Sequence, residues 1–415
     1  MTGSKESFIE NFSAASNLAQ LRSQGKQYLA DLPVPNRKVE RWKYSPITKL
    51  VNSSLSTCKG VGVVWPEEIP LNPIPFLESY RIVFINGSYV ASLSDLPVDD
   101  NVTCSPLSEI NTSFENTYHK KEWVGALNAT YFQDGLYLKV SKNKQLDRPI
   151  VIHHLSDGND IASFPRHYIE LENGAEAEVI VWSSAKDSAS GMCNSILEAH
   201  VATNAYLKID KVCNEEGEIF KFSHENIIQE RDSKFKINTF TVKGHWVRNE
   251  LEIVANGSGT DSIFNGAYMP IGKEHVDNHT IMDHAHPNGT SSELYRGIMY
   301  DKSTGVFNGK VFVRQDAQQT NAFQQNSNIV ADSGATINAK PELEIYADDV
   351  KCSHGCTVGQ FDTEALFYLK SRGIGTDEAK ALLVKAYLDD VISAVERDEV
   401  RCEIIKLYSD RHNWE

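Results

Sequence analysis

The chain has 415 residues and a mass of 46.4 kDa, enough for two or three domains and too much for a peptide or a small stapled module. Its 56 Asp and Glu against 41 Lys and Arg leave a formal charge of −15, which excludes a phosphate-backbone or anionic-membrane role without a local basic patch, and no such patch is visible. Hydrophobic types make up 41% and charged types 23%, enough to build and solvate a sizeable core. The opening MTGSKESFIENF lacks the basic, apolar and small-residue succession of a signal peptide, and no apolar run of about 18 residues occurs, so the expected compartment is the cytoplasm. The seven cysteines are odd in number and widely scattered, unlike a secreted disulfide framework. Glycosylation sequons at Asn101 and Asn111 then carry no weight.

Up to about residue 60 the pattern is weakly helical, with Leu18, Leu21, Tyr28 and Leu32 on one face before Pro33 and Pro35 end it. The segment NRKVERWKYSPITKL is basic and holds Trp42 and Tyr44, which either anchor this arm on the next domain or dock a partner. YRIVFINGSYVASL reads as a hairpin about Asn86-Gly87. SFENTYHKKEWVGALNATYF reads as helix, turning to strand at Asp134-Gly135.

From about 145 to 360 the hydrophobic period is two, with Asn, Asp and Gly at the breaks and no amphipathic helix between the short strands. Without crossover helices, βαβ units are excluded, which leaves a sandwich, a barrel or a solenoid of short strands. A solenoid extends to this length most easily, because each coil buries its apolar face on the last. After Gly373 the period returns to 3.6. Thr376 is the expected N-cap, Ala379, Leu382, Leu383, Ala386, Tyr387 and Val391 form one stripe, and a second helix carries Val400, Ile404, Leu407 and Tyr408.

Phosphate-loop, dinucleotide, zincin and nucleophile-elbow motifs are all missing, so the commonest enzyme classes have no support. Three polar clusters remain. In DDVKCSHGCTVG, residues 348–359, a strand would put Cys352, His354 and Cys356 on one side as two thiols around an imidazole. Such ligands suit iron, zinc or an iron–sulfur species, with Asp348 or Asp349 completing or orienting the site, yet one row cannot enclose a tetrahedral ion. In GKEHVDNHTIMDHAHPNGT, His275, His279, Asp283, His284 and His286 either ligate a metal or line a strand and its turn. His153, His154 and His167 read as structural, and Cys193, Cys213 and Cys402 as small buried hydrophobes.

Residues 338–383, NAKPELEIYADDVKCSHGCTVGQFDTEALFYLKSRGIGTDEAKALL, resemble the signature block of the SufB/SufD family of iron–sulfur cluster assembly scaffold proteins. ADDVKCSHG followed by FYLKSRGI is similar to the member that pairs with SufB. At the other end, ERWKYSPITKL (40–50) resembles the family element E-x-W-K-Y-T-P-L, so the likeness spans the chain.

The resemblance implies a mainly β protein: a right-handed parallel β-helix at 141–360, an N-terminal helical and mixed α/β region at 1–140, and a C-terminal helical domain at 361–415 that binds an ATPase. It further implies a non-catalytic scaffold of the SUF system, joined to SufB through the β-helix ends and docking the SufC ATPase. Iron acquisition and nascent cluster assembly would take place at the SufB interface. No cofactor would be held stably; an iron–sulfur cluster would be shared transiently with SufB, and reduced flavin would bind in the complex. Purified alone, the chain would form a homodimer. By motif His354 corresponds to a candidate ligand of the nascent cluster and Cys352 to the motif cysteine, while Cys356 departs from the usual small residue. Two other readings are a purely structural partner without cluster ligation and a β-helix enzyme acting on polysaccharides through flank carboxylates.

Overall fold

The computed structural model describes residues 2–14, 18–58, 66–110 and 122–414. Asn111 and the first part of the helical reading from Ser113 lie outside the described residues; the described helix there is Trp123–Tyr131. From Arg166 onward the chain lays down strands alternately in two sheets, each strand pairing with the next but one. One sheet runs from Val102–Pro106 to Thr336–Ile345, the other from Ser88–Tyr89 to Lys351–Gly359. Pairing is parallel except for two antiparallel pairs at the beginning, one of them the Asn86-Gly87 hairpin. This is a parallel β-solenoid of about eight coils, the one of the three architectures left by the missing crossover helices that the length and the family resemblance favour. The sheets begin before the change of period at 145: Tyr80–Ile85 and Leu136–Val140 already pair in parallel with later strands.

No sequence repeat marks the coils because the repeat lies in backbone conformation and side-chain volume. Asn204, Asp232, Gly259 and Asn288 each stand two residues before a strand with φ of 58°, 55°, 72° and 63°. Asn, Asp and Gly tolerate this left-handed region best. Their amides donate to corner carbonyls of the next coil, at Arg231, Ser258, Pro287 and Gln318, over 2.9 to 3.1 Å. The residues that follow the first three, Ala205, Ser233 and Thr260, are small and buried. One close approach has no tolerance: a Cβ on Gly135 would stand 1.3 Å from the Arg166 carbonyl oxygen.

Between the sheets lies the main core, including Ile209, Phe235, Ile237, Leu251 and Ile253. Each sheet's outer face is covered by a different end of the chain. Phe8, Leu29, Trp42, Trp123 and Leu127 pack over Met192, Phe222 and Trp246. The helices Thr376–Ile392 and Asp398–His412 pack Val384, Leu388, Val391, Val400, Ile404 and Tyr408 over Trp182, Val212, Phe240 and Ile298. The Tyr408 hydroxyl donates to the Ala267 carbonyl at 2.9 Å, pinning the second helix.

Details of both ends depart from the periodicity. The buried line of Ala19–Asp31 is Arg22, Gly25 and Leu29, with Leu21 and Tyr28 on its border, because Gly25 lets the helix approach Ala129 closely. Thr376 is the first helical residue; Gly375 is the N-cap and makes no side-chain cap. The preceding helix, Thr363–Ser371, is capped by Asp362, which accepts from the amides of Glu364 and Ala365.

Candidate functional site

Thr336–Ile345 and Lys351–Gly359 end their sheets, and no coil follows them. Cys352, His354 and Cys356 fall on the second strand in register with Ala322, Gln324 and Asn326 of the coil beneath. Those three are buried in the solenoid interior. The Cys-His-Cys row therefore occupies interior positions that only the lack of a further coil leaves open. Cys352 is half-buried against the core; His354 and Cys356 are exposed. Desolvation raises both thiol pKa values, holding the sulfurs protonated until a cation competes. Among the described residues no three His, Cys, Asp or Glu side chains form a group able to hold a metal ion.

Two polar columns stand under the row. In one, the Thr280 hydroxyl and the Gln324 amide nitrogen donate to opposite oxygens of Glu293 at 2.6 and 2.7 Å, and Gln324 lies under His354. In the other, the Tyr268 hydroxyl donates to Asn328 at 2.7 Å, Asn328 donates to Asn326 at 2.6 Å, and the Cys356 thiol contacts Asn326 at 3.8 Å. The sequence carries this signal as Gln324, Asn326 and Asn328 at alternating positions, one coil before Cys352 to Cys356.

Burial pushes the Glu293 carboxyl up to about 7. Its unfolded value is about 4.3, so between these pH values the folded state holds a proton that the unfolded state has lost, and this contribution to stability falls as pH rises through the window. Glu293→Gln removes that slope. Relative to wild type the variant should gain on the order of 2 kcal/mol between pH 5 and pH 8. Urea unfolding at both pH values checks it, and an unchanged difference would contradict the assignment.

Asp348 and Asp349 sit at the corner before the strand, and a rise of about 3.3 Å per residue puts Asp349 roughly 15 Å from His354, out of reach of its ring. The five-residue cluster at 275–286 does not converge. His275 and His279 bond Ser45 and Asp277 at 3.0 and 2.9 Å under the N-terminal arm, while Asp283 pairs with Arg314. His284 is buried against Ser291 at 2.9 Å, and His286 is exposed. His154 and His167 are buried with Nε2 atoms 3.1 Å apart. The Leu136 amide donates to His167 Nδ1, which places that ring's proton on Nε2, facing His154. Cys193 and Cys213 are buried as expected, whereas Cys402 is exposed because it lies off the Val400, Ile404, Tyr408 line.

Trp42 is an anchor, buried over the Arg248 guanidinium at 3.9 Å; Tyr44 is exposed. Beneath Trp42, Arg248 bonds Glu250 at 2.8 Å, Asp277 at 2.5 Å and the Arg41 carbonyl at 2.9 Å. The Lys340 ammonium reaches Glu40 at 2.9 Å, tying the arm to the last coil. Of the expected C-terminal stripe, Ala379 and Val391 are buried and Tyr387 packs on the core, but the line against the sheet is rotated to Val384, Leu388 and Val391, while Leu382 and Ala386 face away. Leu382 is 43% exposed, and Phe367 and Tyr368 on the preceding helix are 74% and 57% exposed, so this end of the chain carries apolar side chains that nothing covers.

A family model described as "SUF system FeS cluster assembly, SufBD core domain" matches residues 154–387, and one for the "SufBD protein N-terminal region" matches residues 4–152. Over 395 residues the chain is 29% identical to the iron–sulfur cluster assembly protein SufD of Escherichia coli, covering 94% of this chain and 92% of that one. It is 23% identical over 427 residues to SufD of Bacillus subtilis, covering 97% and 95%. It is also 26% identical over 422 residues to protein ABCI7, chloroplastic, of Arabidopsis thaliana, covering 95% and 87%. No helix among the described residues is long and apolar enough to cross a membrane.

Proposed function

The chain belongs to the SufBD family of iron–sulfur cluster assembly proteins, and on that premise we propose that it is a non-catalytic, cytoplasmic scaffold subunit that pairs with SufB and docks the SufC ATPase. The observation that carries this reading is the open end of the solenoid, where His354 stands between two cysteines on interior positions left uncovered. A partner coil stacked there would add ligands to the row and pair the free edges of Thr336–Ile345 and Lys351–Gly359. Without SufB the same surface serves a second copy of this chain, giving a two-fold homodimer.

In this reading the cluster is cargo, so weak and divided ligation is an advantage. A neutral imidazole binds iron without adding charge, and a site split between chains opens when they part. His354 is the metal contact, Cys352 and Cys356 supply auxiliary sulfur, and iron is acquired at the shared surface. Reduced flavin belongs to the assembled complex and not to this chain alone. The uncovered apolar groups Phe367, Tyr368 and Leu382 support SufC docking at the C-terminal helices.

The test is anaerobic reconstitution of the complex with wild type, His354→Ala and Cys356→Ala, reading iron, acid-labile sulfide and complex yield by size exclusion. His354→Ala should lose most of the iron and sulfide with the complex intact. Loss of the complex itself would favour a purely structural subunit, and unchanged iron, sulfide and yield would remove His354 from cluster assembly.

A further inference from the structure

We propose that Gln324 is the positioning residue of the open end, its side-chain oxygen accepting the ring N–H of His354 and thereby fixing which imidazole nitrogen faces outward. The inference rests on the preceding reading only where it concerns iron. The amide of Gln324 is held from below and from across the interior. Its nitrogen donates to Glu293 at 2.7 Å, and Glu293 is itself anchored by Thr280. Opposite, a Cβ on Gly309 would come within 2.4 Å of the same nitrogen, so glycine makes the space in which the amide lies.

With its nitrogen committed to Glu293, the amide has one group left. Oε1 is buried, the residue being 2% exposed, and it has no hydrogen-bond partner. A buried carbonyl oxygen left unbonded costs about 1 to 3 kcal/mol, so a donor that reaches it is strongly favoured. In-register neighbours in adjacent strands lie about 4.8 Å apart, and the side chain stacked over Gln324 from the last strand is His354. A neutral imidazole has one N–H and one lone pair. Once the N–H is given to Gln324, the lone pair is presented to whatever approaches the open end, as imidazoles that bind metals are commonly oriented by an acceptor behind them. A single row of stacked interior positions, Glu293, Gln324 and His354, thus sets the polarity of the ring.

The experiment uses the full chain labelled with nitrogen-15 histidine. The His354 resonances are identified by their disappearance in His354→Ala, and the tautomer is read from nitrogen–proton couplings at pH 8. Wild type should show one neutral tautomer. Gln324→Leu and, independently, Gly309→Ala should give an averaged mixture. The exchanged pair Glu293→Gln with Gln324→Glu restores a donor below and an acceptor above, and should restore the single tautomer; it also decides the matter if Gln324→Leu does not fold. A mixture in wild type, or one tautomer kept in a folded Gln324→Leu chain, would overturn the proposal. In the reconstituted complex, ferrous iron affinity should fall about tenfold in Gln324→Leu and recover in the exchanged pair. If His354→Ala leaves iron unchanged, the assembly reading fails while the tautomer measurement still judges Gln324.

Discussion

Deletion of residues 363–415 is expected to leave an aggregating chain and not a trimmed β-solenoid. The helices removed bury Val384, Leu388, Val391, Ile392, Val395, Val400, Ile404 and Tyr408 against one sheet. At about 2 kcal/mol per large side chain, the lost burial is on the order of 15 kcal/mol, comparable to the whole stability of a domain. It would also bare Trp182, Val212, Phe240, Val242 and Ile298 as one apolar sheet face. Soluble yield and dye binding to exposed apolar surface measure this, and a soluble truncated chain with native β circular dichroism would contradict it. Partner docking is therefore better tested by Tyr368→Asp with Leu382→Asp, since both side chains already face solvent. That pair should keep the fold and lose co-purification with SufC.

The second large effect is expected from Arg248→Ala. Arg248 is 1% exposed and neutralises Glu250 and Asp277, which are equally removed from solvent. Its charge holds the Glu250 carboxyl well below the usual range against the opposing effect of burial. Removing it leaves Glu250 to Arg41 and His224, and Asp277 to His279 and Ser45, and takes away the cation under Trp42, a loss of about 3 kcal/mol. The N-terminal arm should loosen with it, so limited trypsin digestion should cut at Arg37, Lys38, Arg41 and Lys43 many times faster. Denaturant midpoint and cleavage rate report the two effects separately, and wild-type values for both would show that the arm is held otherwise.

Much of this was legible from the residues. The solenoid could be argued from period-two strands without crossover helices, and Cys352, His354 and Cys356 fell on one side of a strand as alternation requires. Coil boundaries could not be read, because the corner asks for a left-handed residue and then a small buried one, and Asn, Asp or Gly followed by Ala, Ser or Thr satisfies that without a fixed word. Sequence proximity points to Asp348 and Asp349 as the groups that orient His354. In a parallel stack the neighbour of a side chain is a whole coil away, and Gln324 lies 30 residues upstream. The C-terminal stripe is legible only in part for a related reason: Ala379, Tyr387 and Val391 are covered and Leu382 and Ala386 are not, because the helix has apolar residues on two sides and periodicity alone cannot tell the side that meets its own sheet from the side left open.

The corner ladder has a consequence for distance. Each coil adds one strand spacing, about 4.8 Å, along the axis. The C-terminal helices are fixed to coils in the middle of the stack, whereas the Cys-His-Cys row sits on its last strand. Variation in loop length is absorbed sideways at the corners, where a few residues more or less change the bulge of a turn and not the height of the stack. The separation between the helical face and the open end is accordingly graduated: it changes by a whole coil or hardly at all. The solenoid acts as a ruler with marks one strand apart, and a relative that gained or lost a coil after Met299 would carry its open end one mark nearer to or farther from the helical face.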